Sequence, residues 1–519
     1  MALSKKKTLI ILGLILTLFL VTRVYKISEI PVSMYWDEAS IGYNAYSVSL
    51  TGKDEWGSFL PLHFRAFGEF KLPVYIYSVT IFEKLFGINT FSVRLPATLF
   101  SLMTTILVFL LVVKIANRRD IALFGSFFFV ISPWGFIISR TGFEATAGLM
   151  FYLLGIYLFL LIDKNKFLLL LSALSFIFSI YSYNSFRIVT PVTILTLLIL
   201  LGIQSKKNIL ELIWIGVISL IIFILSVIPI VRLAYFEQGL VRFQTIGISF
   251  NDQNKSKVLG QLIGNYLIHF SPQFLFLQGE SNLRNQQKGF GQLYWIDLPL
   301  LLLGLFYIFQ KRESRYILPL ILLIIGIIPA AITKEVPHAL RSISSVPFFI
   351  IISAFGIEFL IKMIKKPSIL YICLIPIFLV SFCLYFYNFI VFYPVQSSSD
   401  WQYGYKQIFI NYKKDFKIFD HVIISDRYAQ PYIFALWYLR YNPEKFKSEV
   451  SYNPFNKWGF SNVNSFSNFI FAPIEKDKIP EGNSLIFTSP SERLNNVKEN
   501  GLIRNLDSSV AFYVYEYQK

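Results

Sequence analysis

Apolar runs close to the twenty or so residues that a helix needs to cross a bilayer follow one another along most of this chain, separated by short polar connections. The pattern predicts spans near 8–27, 95–113, 121–139, 145–162, 167–183, 188–203, 209–231, 292–310, 316–332, 342–361 and 368–392, eleven in all. Basic residues fill every second connection: Lys5, Lys6 and Lys7, then Lys114, Arg118 and Arg119, then Lys164 and Lys166, then Lys206 and Lys207, then Lys311, Arg312 and Arg315, and last Lys362, Lys365 and Lys366. Cytoplasmic loops are the ones that collect Lys and Arg. A single topology accommodates every cluster, with the N-terminus cytoplasmic and the C-terminal tail outside, and it requires an odd number of spans.

The outside connections differ in kind. Two are long, 28–94 and 232–291, and three short ones at 140–144, 183–187 and 333–341 each carry charge. In the first long loop, apolar residues recur at helical spacing over 38–50 and 71–86, predicting two helices with one apolar face that suit a membrane surface or ordinary packing against the spans, the two not being exclusive. The tail beyond Tyr393 has mixed polarity, with strand-like runs at 421–425, 484–488 and 510–517 and a helical pattern over 429–440. The expected organisation is a polytopic α-helical membrane domain over 1–392 and a small extracytoplasmic α/β domain over 393–519.

Composition agrees. Of 519 residues 55% are hydrophobic and only 15% charged, with a mean hydropathy of +0.56, where a soluble domain has about a quarter of its residues charged. The net charge of +17 is dispersed among the connections, so no nucleic-acid footprint is expected. Cys373 and Cys383 share one apolar run, about 15 Å apart on a helix and beyond disulfide reach. The first run follows three lysines as in a signal peptide, but 21–30 offers no small-x-small cleavage site, so an uncleaved anchor is expected.

Candidate chemistry gathers on the outside. Trp36-Asp37-Glu38 follows the first span, Glu69-Phe70-Lys71-Leu72-Pro73 precedes the second predicted loop helix, and Arg94-Leu95-Pro96 opens the second span. Arg140 and Glu144 bracket one short turn, Tyr183 and Arg187 another; Arg284 precedes the eighth span, and Pro337-His338 with Arg341 opens the tenth. Taken singly, each has a bland reading: a solvated turn, a surface ion pair of little worth, or a snorkelling anchor, the last as good as a site role for Arg94. Taken together they bring acids, arginines and a histidine to one membrane face. Arg and Lys recognise phosphate through charge-assisted bonds, and a carboxylate can take a proton from an attacking hydroxyl. The inventory describes transfer of a group from a lipid phosphate to an acceptor outside the cytoplasm. No Walker loop, dinucleotide fingerprint or Asp-x-Asp motif points to a nucleotide. A multi-span lipid or solute transporter is the main rival, although transporters place charge at the midplane on broken helices; an inactive lipid-binding scaffold is a third reading.

These motifs, in this order over roughly 25–395, resemble the GT-C membrane glycosyltransferases, nearest to the group of the protein O-mannosyltransferases and the lipid A aminoarabinose transferase. Trp36-Asp37-Glu38 resembles their first-loop acidic motif. Glu69-Phe70-Lys71-Leu72-Pro73 resembles an acid–Lys–Pro-Pro segment with Leu72 in place of one proline. Glu144 stands where Asp is more usual, and Pro337-His338 with Arg341 resembles a late motif. The resemblance implies transfer of a hexose or pentose from a polyprenyl-phosphate donor to a glycan, lipid or protein acceptor, with inversion, at the plasma or inner membrane of a prokaryote. It implies Asp37 as catalytic base or its metal-linked equivalent, Glu144 as second acid, and Lys71, Arg187 and Arg341 as donor-phosphate ligands, with Arg284, Tyr183 and Glu38 as further substrate-side candidates; for Glu38 structural support of the loop is the other reading. Glu69 and His338 could form a divalent-cation site, metal dependence being left open. Within the enzyme class, a ligase using a polyprenyl-diphosphate-linked glycan is the alternative.

Overall fold

A computed structural model describes residues 3–67, 69–204, 209–236, 243, 246–249, 255–365, 367–428, 430–453, 462–495 and 497–519. Of the basic clusters, Lys206, Lys207 and Lys366 lie outside these. The chain divides into two compact units: Met1–Tyr25 with Ala97–Asn388, and Lys26–Pro96 with Phe389–Lys519.

The first unit is helical. Its helices are α1 Lys5–Val24, most of α4 (Thr90–Ala116), α5 Arg119–Ile131, α6 Pro133–Phe136, α7 Ala145–Phe159, α8 Leu168–Ile180, α9 Phe186–Gln204, α10 Ile209–Phe236, α11 Lys255–Leu267, α12 Asp297–Lys311, α13 Ser314–Ala331, α14 Val346–Met363 and α15 Pro367–Val391. The second unit holds α2 Trp36–Thr51, β1 Phe64–Ala66, β2 Glu69–Lys71 and α3 Pro73–Phe86. Small residues let helix backbones approach in an apolar setting. A Cβ on Gly304 would lie 1.9 Å from the Ile352 carbonyl oxygen, and one on Gly356 2.1 Å from that of Leu300, which fixes the α12–α14 contact. Pro133 cannot continue α5, and the chain bends there by 62°.

Each of the eleven predicted runs contains a helix. Six of these helices are long and apolar enough to cross a membrane, or seven if the bent pair around Pro133 is one span. The helices over Ala145–Phe159, Leu168–Ile180, Phe186–Leu201 and Asp297–Lys311 are shorter. Their apolar runs continue into turns, as at Leu160–Lys164, where the helix gives way to i→i+3 bonds; helix length therefore does not fix the number of crossings.

In the second unit, β1 and β2 form a two-stranded antiparallel hairpin. The C-terminal segment contributes α16 Tyr393–Gln396, α17 Tyr403–Asn411, β3 His421–Ile424, α18 Pro431–Leu439, α19 Pro443–Glu449, β4 Ser451–Tyr452, β5 Val463–Phe466, β6 Phe469–Phe471, β7 Asn483–Thr488, β8 Glu499–Arg504 and β9 Val510–Gln518. The seven strands β3–β9 form one sheet in the order β4-β5-β6-β3-β7-β9-β8. Strand β3 runs parallel to both β6 and β7, and the remaining pairs are antiparallel. Ile423, Ile486 and Tyr515 pack with Ile474, Ile479 and Leu494 as one core. The α/β expectation for the tail thus takes the form of a mixed sheet.

The division of the chain differs from the expected boundary at 392/393. Residues Lys26–Pro96 group with the C-terminal segment because side chains of that segment fill their surface. The Trp437 ring lies against α2 where Gly42 has no side chain, so near that a Cβ would meet it at 2.4 Å. Trp56 stacks on Tyr452 with centroids 4.7 Å apart, the Tyr43 hydroxyl donates to the Tyr441 carbonyl at 3.2 Å, and Lys406 donates to the Val32 carbonyl at 2.7 Å. Helix α2 is therefore no one-faced surface helix: Glu38–Ala45, Ser47 and Val48 are all buried. Helix α3 does keep two faces, burying Tyr75, Ile76 and Val79 while Ile81, Leu85 and Phe86 are exposed.

Gly42→Ala must displace the Trp437 indole, an overpacking that costs about 1–3 kcal/mol. Thermal unfolding of the purified variant is expected to shift down by the corresponding amount; an unchanged midpoint would show that α18 does not hold α2.

Candidate active site

Asp37 and Glu38 occupy the first turn of α2, where acids suit the partial positive charge of the helix N-terminus. They diverge from there. Asp37 keeps a side chain 21% exposed and accepts from the Lys71 ammonium at 2.7 Å. Lys71 ends β2, immediately before Leu72 and the N1 proline Pro73 of α3, and is itself only 3% exposed. Two motifs 34 residues apart in sequence thus meet as one ion pair.

Glu38 is fully buried. Arg94 meets both its oxygens, Nε to Oε1 at 2.9 Å and Nη2 to Oε2 at 2.9 Å, and the Tyr35 N–H donates to Oε2 at 3.3 Å. The remaining guanidinium protons go to the carbonyls of Ile27, Pro31 and Ser33 at 2.9, 2.9 and 2.7 Å. All five Arg94 donors are used, and the guanidinium lies 5.7 Å from the Trp401 ring centroid. The carboxylate of Glu38, expected among the substrate-side candidates, is thus engaged by groups of the protein itself. Arg94, which the sequence leaves between a snorkelling anchor and a site role, is fully buried and ties the 27–38 segment to the head of α4.

The other candidates lie in the helical unit. Glu144 is the N-cap of α7 and Arg187 lies in the first turn of α9, both partly buried. The starts of these helices are held together by Gly148, where a Cβ would meet the Phe186 ring at 2.4 Å. Arg187 Nε is buried without a hydrogen-bond partner among the described residues. Tyr183 sits in the preceding turn, its carbonyl accepting the Phe186 N–H at 3.0 Å.

His338, Arg341 and Arg284 gather around a residue that sequence reasoning missed, Glu280. Its Oε2 accepts the Ala339 N–H at 2.6 Å and lies 3.6 Å from His338 Nδ1, and its Oε1 accepts from Asn285. Burial pushes the Glu280 carboxyl up to about 7, against backbone bonding from Ala339, the Asn285 amide and the charges of Arg341 and Arg284. Arg341 donates to Thr333 Oγ1 at 3.0 Å and pairs with the exposed Glu335 at 3.1 Å. Arg284 is braced by Asn282 at 2.9 Å. The His338 N–H donates to His269 Nε2 at 3.1 Å, while His269 Nδ1 faces the Asn265 carbonyl at 2.8 Å. That arrangement puts the ring proton on Nδ1, and burial lowers this imidazole to about 4, so it is a neutral acceptor. Neither Glu280 nor His269 stands in a recognisable motif; the run of amides at Asn282, Asn285, Gln286, Gln287 and Gln292 before α12 was the one available signal.

The expected cation site of Glu69 and His338 gains no support. The Glu69 side chain lies outside the described residues. His338 Nδ1 is turned to Glu280 and to the Arg341 N–H. Among the described residues no three His, Cys, Asp or Glu side chains stand together as a metal would need.

Comparison with solved structures identifies the architecture. ArnT from Cupriavidus metallidurans in the apo state superposes with a TM-score of 0.57 at 10% identity, covering 98% of this chain and 97% of that one. The same enzyme bound to undecaprenyl phosphate gives 0.56 at 11% identity, covering 99% and 98%. The Archaeoglobus fulgidus oligosaccharyltransferase AglB, in complex with an inhibitory peptide and a dolichol-phosphate, gives 0.52 at 11% identity and 84% of this chain; the chain spans 64% of that protein's length. The fold is of the GT-C type, and with its long apolar helices the chain is an integral membrane protein. More narrowly, residues 71–230 match the family described as dolichyl-phosphate-mannose-protein mannosyltransferase. No curated protein sequence matches the chain at a significant level.

Removing one partner of a buried ion pair leaves an uncompensated charge and costs about 3–5 kcal/mol. Arg94→Met is expected to destabilise the protein by that order in a denaturation series, and adding Glu38→Leu should recover part of the loss. If the double variant is no more stable than the single, the pair is not what holds the segment.

Proposed function

We propose that the chain is a glycosyltransferase that moves a hexose or pentose from a polyprenyl-phosphate donor to a glycan, lipid or protein acceptor, with inversion at the anomeric carbon. The observation that carries this reading is the Asp37–Lys71 pair: one carboxylate still reachable from solvent and one cation, supplied by two motifs of the GT-C resemblance and set 2.7 Å apart. The chemistry needs that combination. Asp37 takes the proton of the acceptor hydroxyl as its oxygen attacks the anomeric carbon. The bond from that carbon to the phosphate oxygen breaks, and the phosphate leaves with the electron pair, its growing charge met by Lys71. Attack from the face opposite the leaving group inverts the centre.

Roles in the helical unit come from the resemblance: Glu144 as second acid orienting the acceptor, and Arg187 and Arg341 on the donor phosphate, with Arg284 and Tyr183 supporting. The unpartnered Arg187 Nε suits a cation kept for an anionic ligand. The likeness to an ArnT structure bound to undecaprenyl phosphate, and to an AglB structure containing a dolichol-phosphate, supports a polyprenyl lipid as the donor carrier. The charge pattern supports a cytoplasmic N-terminus with the reacting groups outside, and the family resemblance supports a prokaryotic cell membrane. A polyprenyl-diphosphate glycan is the competing donor, and the two separate in one assay: the purified protein incubated with a panel of polyprenyl-phosphate and polyprenyl-diphosphate sugars, scored for released lipid phosphate or diphosphate.

Asp37→Asn is expected to slow transfer by about 10²–10⁴-fold while the protein folds and still takes up polyprenyl phosphate; unchanged turnover would remove Asp37 from the reaction. Arg341→Ala should weaken binding of that lipid about 10–100-fold, the worth of a charge-assisted bond, measured by equilibrium titration. An unaltered affinity would take Arg341 off the donor phosphate.

A further inference from the structure

In the structure the two groups that transfer requires are engaged with each other. The Lys71 ammonium sits on Asp37 Oδ1 at 2.7 Å, on a side chain only 3% exposed. While it stays there, that oxygen is occupied by the ammonium. The same ammonium is the proposed ligand of the donor phosphate and cannot serve both partners at full strength. We infer that the Asp37–Lys71 pair is a latch that the donor phosphate opens: the phosphate displaces Asp37 from Lys71, and only then can Asp37 act as base. The inference rests on the reading of Lys71 and Asp37 given above.

Three local features suit such an exchange. Lys71 closes a hairpin of two three-residue strands, with a single partner strand, so a small shift of its backbone disrupts no larger sheet. Asp37 is fixed on the first turn of a helix buried along most of its length, so the lysine, not the acid, is the member placed to move. The neighbouring acid, Glu38, is locked by Arg94 and cannot take over Lys71 when Asp37 is released.

The exchange also imposes an order. Without donor the base is masked, so an acceptor or a water molecule arriving first meets no free carboxylate. After transfer the proton from the acceptor hydroxyl resides on Asp37, and the product phosphate, now a monoester with charge near −2, is the partner of Lys71. A protonated Asp37 does not compete for the ammonium. The latch therefore closes again only when Asp37 has lost that proton and the lipid phosphate has left.

The test is a double-mutant cycle on the full-length protein, with undecaprenyl phosphate as the probe and its affinity as the readout. Asp37→Asn removes the competitor for Lys71, so affinity is expected to rise about tenfold, within the coupling found for residues in contact. In a Lys71→Met background, or Lys71→Gln if that variant does not fold, the same Asp37→Asn change is expected to alter affinity by less than about twofold. An equal gain in both backgrounds means that the carboxylate merely repels the phosphate, and it overturns the latch while leaving Lys71 as a ligand. No gain in either background overturns it as well. If Lys71→Met alone leaves affinity unchanged, the assignment of Lys71 to the donor phosphate fails, and the latch with it.

Discussion

A buried carboxylate–guanidinium pair underlies the candidate site. Glu38 and Arg94 are both fully buried, and each oxygen and each N–H of the pair finds a partner. The three carbonyls that Arg94 collects belong to the segment just ahead of α2, a stretch with no regular structure of its own. A loop of that kind would leave the first turn of α2 free to wander, and with it Asp37. Because Arg94 is also the fifth residue of α4, the acidic motif is referenced to the head of a long apolar helix. The Lys71 ion pair depends on this reference: a salt bridge between two poorly placed side chains would be worth little.

The sequence carried the helices well, and for a physical reason. Apolar runs of membrane length and clusters of Lys and Arg are signals that depend only on neighbours along the chain. Helix α3 and strands β3, β7 and β9 were readable for the same reason, since their apolar pattern is local. Strands β4, β5 and β8 were not, because Ser451, Asn464, Glu499 and Gly501 break any alternation and gain their place only by pairing. The surroundings of α2 were misread through the same gap. Its spacing resembles a one-faced helix, and the residues that cover its other face, Trp437 among them, come nearly four hundred positions later.

The candidate site divides along the same line. Asp37 and Lys71 could be named because each sits in a short motif, but their contact could not, since nothing in either motif says that the two meet. Glu38 was placed beside Asp37 by adjacency, yet successive residues on a helix point in different directions, and its true partner is 56 residues away. Glu280 and His269 left no motif of their own, because a lone acid and a lone histidine in a loop have no spacing to betray them. Only three-dimensional proximity brings them beneath the turn of His338 and Arg341.

The second unit is made from two segments separated by the whole of Ala97–Asn388, which sets an order of assembly during synthesis. Residues Lys26–Pro96 emerge early, but the side chains that cover α2 belong to the last part of the chain. At 5–20 residues per second the intervening roughly 300 residues take about 15–60 s to make. Throughout that interval α2 must wait with Gly42 and Tyr43 uncovered, and the membrane helices are inserted in the meantime. A chain that stalls within the helical unit would therefore carry the whole acidic motif on a helix whose face at Gly42 lacks the Trp437 cover. The cover of α2 thus waits on residues made long after the acidic motif itself.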